Sequence, residues 1–136
     1  YFECEMVICD KHRKRANEIA SMVVIGDVTD RDVVLIDDIC DTGGTLCKSA
    51  ALMKEKGARS VRALCTHPVL SGNAYQNIEN SVLEELVVCD TIPLRGDCAK
   101  IKVVSTDELF AVTIRNAFEN KSINSLFMRS RMANKK

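Results

Sequence analysis

The run from Val33 to Thr66 constrains the fold more than any other part of the chain. Four aliphatic residues lead into Asp37-Asp38, the chain passes through Asp41-Thr42-Gly43-Gly44-Thr45, a helical pattern follows, and a second apolar run occupies 61–66. The runs at 33–37 and 61–66 are mostly aliphatic rather than strictly alternating, which predicts strands covered on both faces. Between them, Leu46, Ala50 and Met53 fall on one helical stripe. Lys54 and Lys56 suit the negative end of the helix dipole, and Gly57 suits the position just past the cap. The segment is a β-α-β unit, and such a unit commits the chain to a parallel sheet.

Further β-type runs lie at 5–9, 22–28 and 85–90, with a weaker one at 100–105. A second helix is expected from Ser71 to about Asn80, with Tyr75, Ile78 and Val82 roughly on one side. A third begins at Ser105, whose spacing to Glu108 matches a capping box, and continues through Phe110, Ile114 and Ala117. Strands alternating with helices predict an α/β fold with a mostly parallel sheet flanked by helices. At 136 residues the chain suits one domain, expected over 1–127, with the basic stretch 128–136 as a flexible tail.

Nineteen basic residues balance nineteen acidic ones, so no whole-molecule field recruits nucleic acid or an anionic membrane, and neither is expected as a partner. No apolar run approaches the length of a membrane span. The seven cysteines include no CxxC pair, and several interrupt apolar runs, as Cys65 and Cys89 do. They read as reduced thiols acting as small hydrophobes in a cytosolic setting.

Any anion specificity is therefore local, and 37–45 concentrates it: three acids, two hydroxyls and two glycines within nine positions. Ligands of open α/β sheets bind outside the carboxyl ends of the strands, where this segment lies. Gly43 and Gly44 lack Cβ atoms, so backbone N–H groups can approach a ligand closely. Together with the hydroxyls of Thr42 and Thr45 and the positive end of the helix dipole, they favour a phosphate. Asp37 and Asp38 are unsuited to touching phosphate, but they can accept hydrogen bonds from vicinal hydroxyls or help to position Mg²⁺. Phosphate on one side and a diol on the other describe a sugar phosphate. The plainer alternative, a polar loop with a helix cap, gives neither the acid pair nor the double glycine a role. No Walker A sequence occurs anywhere in the chain.

Residues 11–15 place five basic or titratable side chains directly after the first apolar run. Alone, such a cluster is a solvated surface loop. Beside a phosphate site, mobile Lys and Arg neutralise charge that spreads over the oxygens of a transferring group. His67 ends a strand on the same edge. Its plain role is a hydrogen bond to the Pro-containing turn that follows, and a role near the site is the alternative.

The stretch 37–45, two acids after a strand and then Asp-Thr-Gly-Gly-Thr, resembles the phosphoribosyl diphosphate (PRPP) signature of the type I phosphoribosyltransferase superfamily. Cys9 to Ile19, "CDKHRKRANEI", resembles the catalytic flexible loop of class I ribose-phosphate diphosphokinase (PRPP synthetase). "ANEIASMVVIGDV", "THPVLSGNAYQNIENS", "DTIPL" and "SINSLF" resemble successive parts of that family in the same order, up to about Phe127. The resemblance implies a type I phosphoribosyltransferase-like fold and transfer of the diphosphoryl group of Mg-ATP to ribose 5-phosphate. It implies that Lys11 and Arg13 grip the transferring group. Ribose 5-phosphate would be held by Asp37, Asp38, Asp41, Thr42, Gly43, Gly44 and Thr45. Ser122 and Asn124 match a regulatory phosphate/ADP region that spans subunits, in a cytoplasmic homo-oligomer built up to a hexamer.

The resemblance covers the C-terminal half of that family's polypeptide. An N-terminal half, with most adenine contacts and a metal-binding His, would precede Tyr1, as would an Asp-Gly-Gly loop. The expectation is thus a domain incomplete at its N-terminus, with no metal ligand assigned in it. Such a chain would bind ribose 5-phosphate yet have little synthetase activity alone. Two alternatives stay open: a phosphoribosyltransferase that consumes PRPP, and a non-catalytic regulatory or binding chain.

Overall fold

A computed structural model of the chain describes residues 4–12, 21–124 and 126. Its elements are β1 (Ile8–His12), β2 (Ser21–Ile25), β3 (Asp32–Cys40), α1 (Gly44–Glu55), β4 (Ser60–Pro68), α2 (Ala74–Glu79), β5 (Glu85–Cys89), β6 (Ile101–Val104) and α3 (Asp107–Phe118). The expected α/β fold is present. Strands β3, β4, β5 and β6 form a parallel sheet in that order, and β1 and β2 make a separate antiparallel pair. Met6–Val104 is one compact unit, and Ser105 onward belongs to another, which contains α3.

The core is a single layer between the sheet and two helices. Val61, Ala63 and Cys65 of β4, Leu86 and Val88 of β5 and Ile101 of β6 pack with Leu46, Ala50 and Met53 of α1 and Ala74 and Ile78 of α2. The predicted α1 stripe is therefore the buried one. Met53 and Ile78 are almost wholly enclosed, and each such side chain contributes about 1.5–3 kcal/mol. Gly57, at φ 90°, ends α1 by donating its N–H to the Lys54 carbonyl at 3.0 Å, in the place expected for it.

Several expectations need correction. The sheet is covered on one face only: Val34 and Ile36 of β3 are 49% and 69% exposed. A strand order that never reverses, with right-handed crossovers, sends α1 and α2 to the same side. Strand β3 runs three residues past the expected end, because Ile39 pairs with His67 and Cys40 with Pro68. Asp37 and Asp38 are thus strand residues. Pro68, which has no N–H to give, closes the ladder. The first strand lies at Ile8–His12 rather than 5–9, so Lys11 is in the strand and not in a loop beyond it.

Helix α2 is shorter than expected because Leu70 and Gly72 take positive φ, 47° and 56°, and make 69–73 a turn. Val82 falls outside it and is 45% exposed. The capping box at α3 does not form. The Ser105 hydroxyl accepts the Asp107 N–H at 3.3 Å, while the Glu108 N–H goes to Asp107 Oδ1 at 2.6 Å. A local acceptor thus takes the donor that a box would use. Phe110, Ile114 and Ala117 lie on α3 as expected, and all three are exposed.

Candidate functional site

The carboxyl edge of β3 and β4 collects most of the residues singled out by sequence. Gly43 is the N-cap of α1 at φ 71°, a conformation that costs any residue with a Cβ. A Cβ there would also sit 3.5 Å from Ile78 and 3.7 Å from the Ala74 carbonyl. Gly44 has ordinary φ, and a Cβ would meet only Thr42 Oγ1, at 3.6 Å. The two glycines therefore differ: Gly43 makes the turn, and Gly44 leaves open space above the start of α1. No side chain caps that helix, and its first turn holds no acidic residue. The first ladder bond runs from the Cys47 N–H to the Gly43 carbonyl at 2.9 Å, so the preceding N–H groups stand outside the helical ladder. A helix start of this kind has the polarity an anion needs.

The acids take different surroundings. Asp37 Oδ1 accepts the Asp38 N–H at 3.0 Å. The Asp38 carboxylate has no partner among the described residues, and both acids are exposed. Asp41 is drawn into the fold instead: its Oδ1 accepts from the Ser71 hydroxyl, and its carbonyl accepts the Ser71 N–H at 3.0 Å. Thr42 and Thr45 are exposed on the loop. Behind it lies the Cys40 thiol, pushed up to about 12 chiefly by burial, with the neighbouring Cys65, Cys47 and Asp37 adding to the shift and the Gly43 N–H opposing it. That sulfur remains a protonated thiol at neutral pH and is no nucleophile.

His67 is set by a partner the sequence did not point to. The Thr91 hydroxyl has one proton and donates it to the Thr66 carbonyl at 2.9 Å. It therefore accepts from His67 Nδ1, also at 2.9 Å, which leaves Nε2 facing outward without a partner among the described residues. The Pro-containing turn takes only the His67 carbonyl, from the Val69 N–H at 3.1 Å. Asn77 was equally unforeseen: from mid-helix it donates Nδ2–H to the Thr42 carbonyl at 2.9 Å.

The other expected residues stand apart from this edge. Lys11 lies on β1 with its backbone in register with Met22. Met22 Sδ accepts from Ser49 Oγ of α1 at 3.2 Å, which ties the strand pair to the helix carrying the glycine loop. Arg13 and the stretch 128–136 lie outside the described residues. In the other unit, Ser122 Oγ accepts the Asn124 N–H at 3.1 Å. Among the described residues no group of three or more His, Cys, Asp or Glu is placed to hold a metal ion. The largest groove, about 680 Å³, is lined by Tyr75, Gln76, Glu79, Asn80, Asp97, Cys98 and Ala99 and contains none of residues 37–45.

Known proteins resemble the chain over most of its length. Ribose-phosphate pyrophosphokinases of Campylobacter jejuni and Wolinella succinogenes are 55% and 52% identical over 124 residues, 91% of this chain. The chain spans 40% of the length of each. A crystal structure of phosphoribosylpyrophosphate synthetase from Mycobacterium smegmatis superposes with a TM-score of 0.73 at 36% identity, over 82% of this chain and 37% of that one. The model of the phosphoribosyl synthetase-associated domain matches residues 7–128. The chain belongs to the phosphoribosyl synthetase-associated domain family.

Proposed function

We propose that this chain is the acceptor-binding part of a ribose-phosphate diphosphokinase, which makes PRPP for nucleotide biosynthesis. The anomeric hydroxyl of ribose 5-phosphate attacks the β-phosphorus of Mg-ATP, the β,γ-diphosphoryl group passes to that oxygen, and AMP leaves. The observation that carries this reading is the pairing of an uncapped helix start behind Gly43-Gly44 with carboxylates that lack cations, on one sheet edge. In it, residues 41–45 hold the 5-phosphate, with Gly44 giving the closest approach, and Asp37 and Asp38 accept from the ribose hydroxyls. Lys11 and Arg13 stabilise the charge of the transferring group. Mg²⁺ enters with ATP as substrate. Ser122 and Asn124 belong to a regulatory phosphate/ADP site.

The relatives' greater length supports a partner domain that carries adenine and metal contacts. In that polypeptide residues 1–127 form the C-terminal phosphoribosyltransferase-like domain and 128–136 a basic tail, within a cytoplasmic homo-oligomer. A second reading, binding without turnover, is favoured for the chain alone by its 40% share of the relatives. Positioning two substrates supplies roughly 7–11 kcal/mol of a barrier, and one of the two sites is not evident here. The deciding experiment measures AMP release and calorimetric binding with ribose 5-phosphate and Mg-ATP. Binding that Gly44→Val abolishes supports the acceptor site; affinity unchanged by Gly44→Val rejects it. Turnover by the 136-residue chain equal to that of the relatives would reject the second reading.

A further inference from the structure

We propose that the turn and helix after β4 act as a clamp that holds the 41–45 loop in its anion-binding shape, with Asn77 and Ser71 as positioning residues. This rests on the reading of that loop as a phosphate site. Three successive carbonyls of the loop are taken from the same side. The Leu70 N–H binds the Cys40 carbonyl at 3.0 Å, the Ser71 N–H binds that of Asp41 at 3.0 Å, and Asn77 Nδ2 binds that of Thr42 at 2.9 Å. The Ser71 hydroxyl adds a bond to the Asp41 carboxylate.

In a planar trans peptide the carbonyl and the next N–H point in opposite directions. Pulling the oxygens of 40, 41 and 42 toward α2 therefore turns the negative ends of three peptide dipoles away from the place where a phosphate would sit. Left unpinned, any of these peptides could flip and present an oxygen to the anion. Gly43 is the residue most open to such a flip, since φ 71° lies in a region glycine samples freely on both sides of zero. Asn77 holds the peptide immediately before it.

The clamp has a rigid base. Ala74 and Ile78 are fully buried on either side of Asn77 in the helix, and Ile78 lies under Gly43. The Tyr75 hydroxyl accepts the Arg95 N–H at 2.9 Å, fixing α2 to the segment after β5. An exposed mid-helix Asn with no task would be solvated; here it reaches a carbonyl thirty-five positions back in the chain. Its effect on ligand is indirect, through the orientation of the Thr42–Gly43 peptide.

The test uses the full 136-residue chain and two probes, inorganic phosphate and ribose 5-phosphate, followed by the amide shifts of Gly43 and Gly44 and by calorimetry. Asn77→Ala should move the carbonyl carbon shift of Thr42 before any ligand is added and weaken both probes by the same factor, about three- to tenfold. Asn77→Asp sets an acceptor against the Thr42 oxygen and should weaken them by about tenfold or more. In the Gly44→Val background the Asn77 changes should add nothing.

A merely structural role would lower the thermal midpoint and leave the affinity of the folded protein unchanged, and that result overturns the clamp. If Gly44→Val abolishes binding while Asn77→Asp binds like the wild type, the clamp fails and the phosphate site stands. If neither probe binds the wild-type chain, or Gly44→Val binds both normally, the phosphate site and the clamp fall together.

Discussion

The two ends of the β3–β4 ladder both carry acids, and they treat them in opposite ways. At the amino end Asp32 accepts from Arg59 Nε at 3.0 Å, from Arg59 Nη2 and from Ser60 Oγ at 2.6 Å. Arg62 pairs with Glu84 at 2.6 Å close by. At the carboxyl end Asp37, Asp38 and Asp41 meet no Lys or Arg among the described residues. One end is a finished piece of structure, in which each charge has its counterpart inside the chain. At the other end the counterpart has to come from a bound molecule or another segment. The difference separates an acid kept for stability from an acid kept for binding.

The largest effect that would break this contrast lies with the cations proposed to serve the carboxyl end. In a polypeptide of the relatives' length, Lys11→Ala and Arg13→Ala should each lower kcat by about 10²-fold or more and leave the KM for ribose 5-phosphate little changed. Their charge is needed where charge develops, and the acceptor is held by other groups. Steady-state kinetics at varied ribose 5-phosphate checks this, and wild-type kcat in either variant would remove that residue from the mechanism.

Exchanging the roles of the acids gives the next effect. Asp37→Asn and Asp38→Asn should weaken ribose 5-phosphate by about tenfold, since each replaces a charged acceptor by a neutral one, with the thermal midpoint unchanged or slightly raised. Asp32→Asn should do the reverse, lowering the midpoint at neutral pH and leaving affinity alone. Calorimetry and thermal melts on the three variants settle it, and a large stability loss at 37 or 38 would make the carboxyl end structural after all.

Much of the carboxyl end was legible in the sequence, and the reason is local chemistry. Gly43-Gly44, the flanking threonines and the acid pair announce themselves within a few positions, and the α1 stripe follows from helix periodicity alone. What stayed hidden depends on neighbours distant in sequence. Nothing near Val34 or Ile36 tells that the crossovers put both helices on the opposite face. Ile39 and Cys40 extend β3 because β4 continues beside them. Asn77 looks like any polar helix residue until Thr42 is placed next to it. The α3 capping box failed for a different reason: the spacing was right, but Asp107, inside the motif, offered the Glu108 N–H a nearer acceptor.

A smaller effect lies inside the loop, where the two glycines should part company. Gly43→Ala should cost about 1–2 kcal/mol of stability, because the left-handed conformation crowds a Cβ against the following carbonyl. Gly44→Ala should be neutral or stabilising by a few tenths of a kcal/mol, as a helix position with ordinary φ. Chemical denaturation on both variants measures the difference. Equal costs would mean that the turn is not what Gly43 is for.

The smallest effect concerns acid. The hydrogen bond from Arg59 holds the Asp32 carboxyl well below the usual carboxylate range, with the Ser60 hydroxyl assisting. A depressed value in the folded chain stabilises it above the unfolded value of about 3.9, and that contribution is lost as pH falls through the folded value. The destabilisation caused by Asp32→Asn should therefore be constant across neutral pH and shrink only below about pH 4. Both partners are exposed, so the effect is modest and should shrink further with salt. At the carboxyl end Asp38 has no such bond, and Asp38→Asn should show no matching acid-dependent gap. Thermal melts of wild type and both variants from pH 7 to pH 3 test this. A gap for Asp32→Asn that does not narrow in acid would mean that its loss acts through something other than the charge held by Arg59.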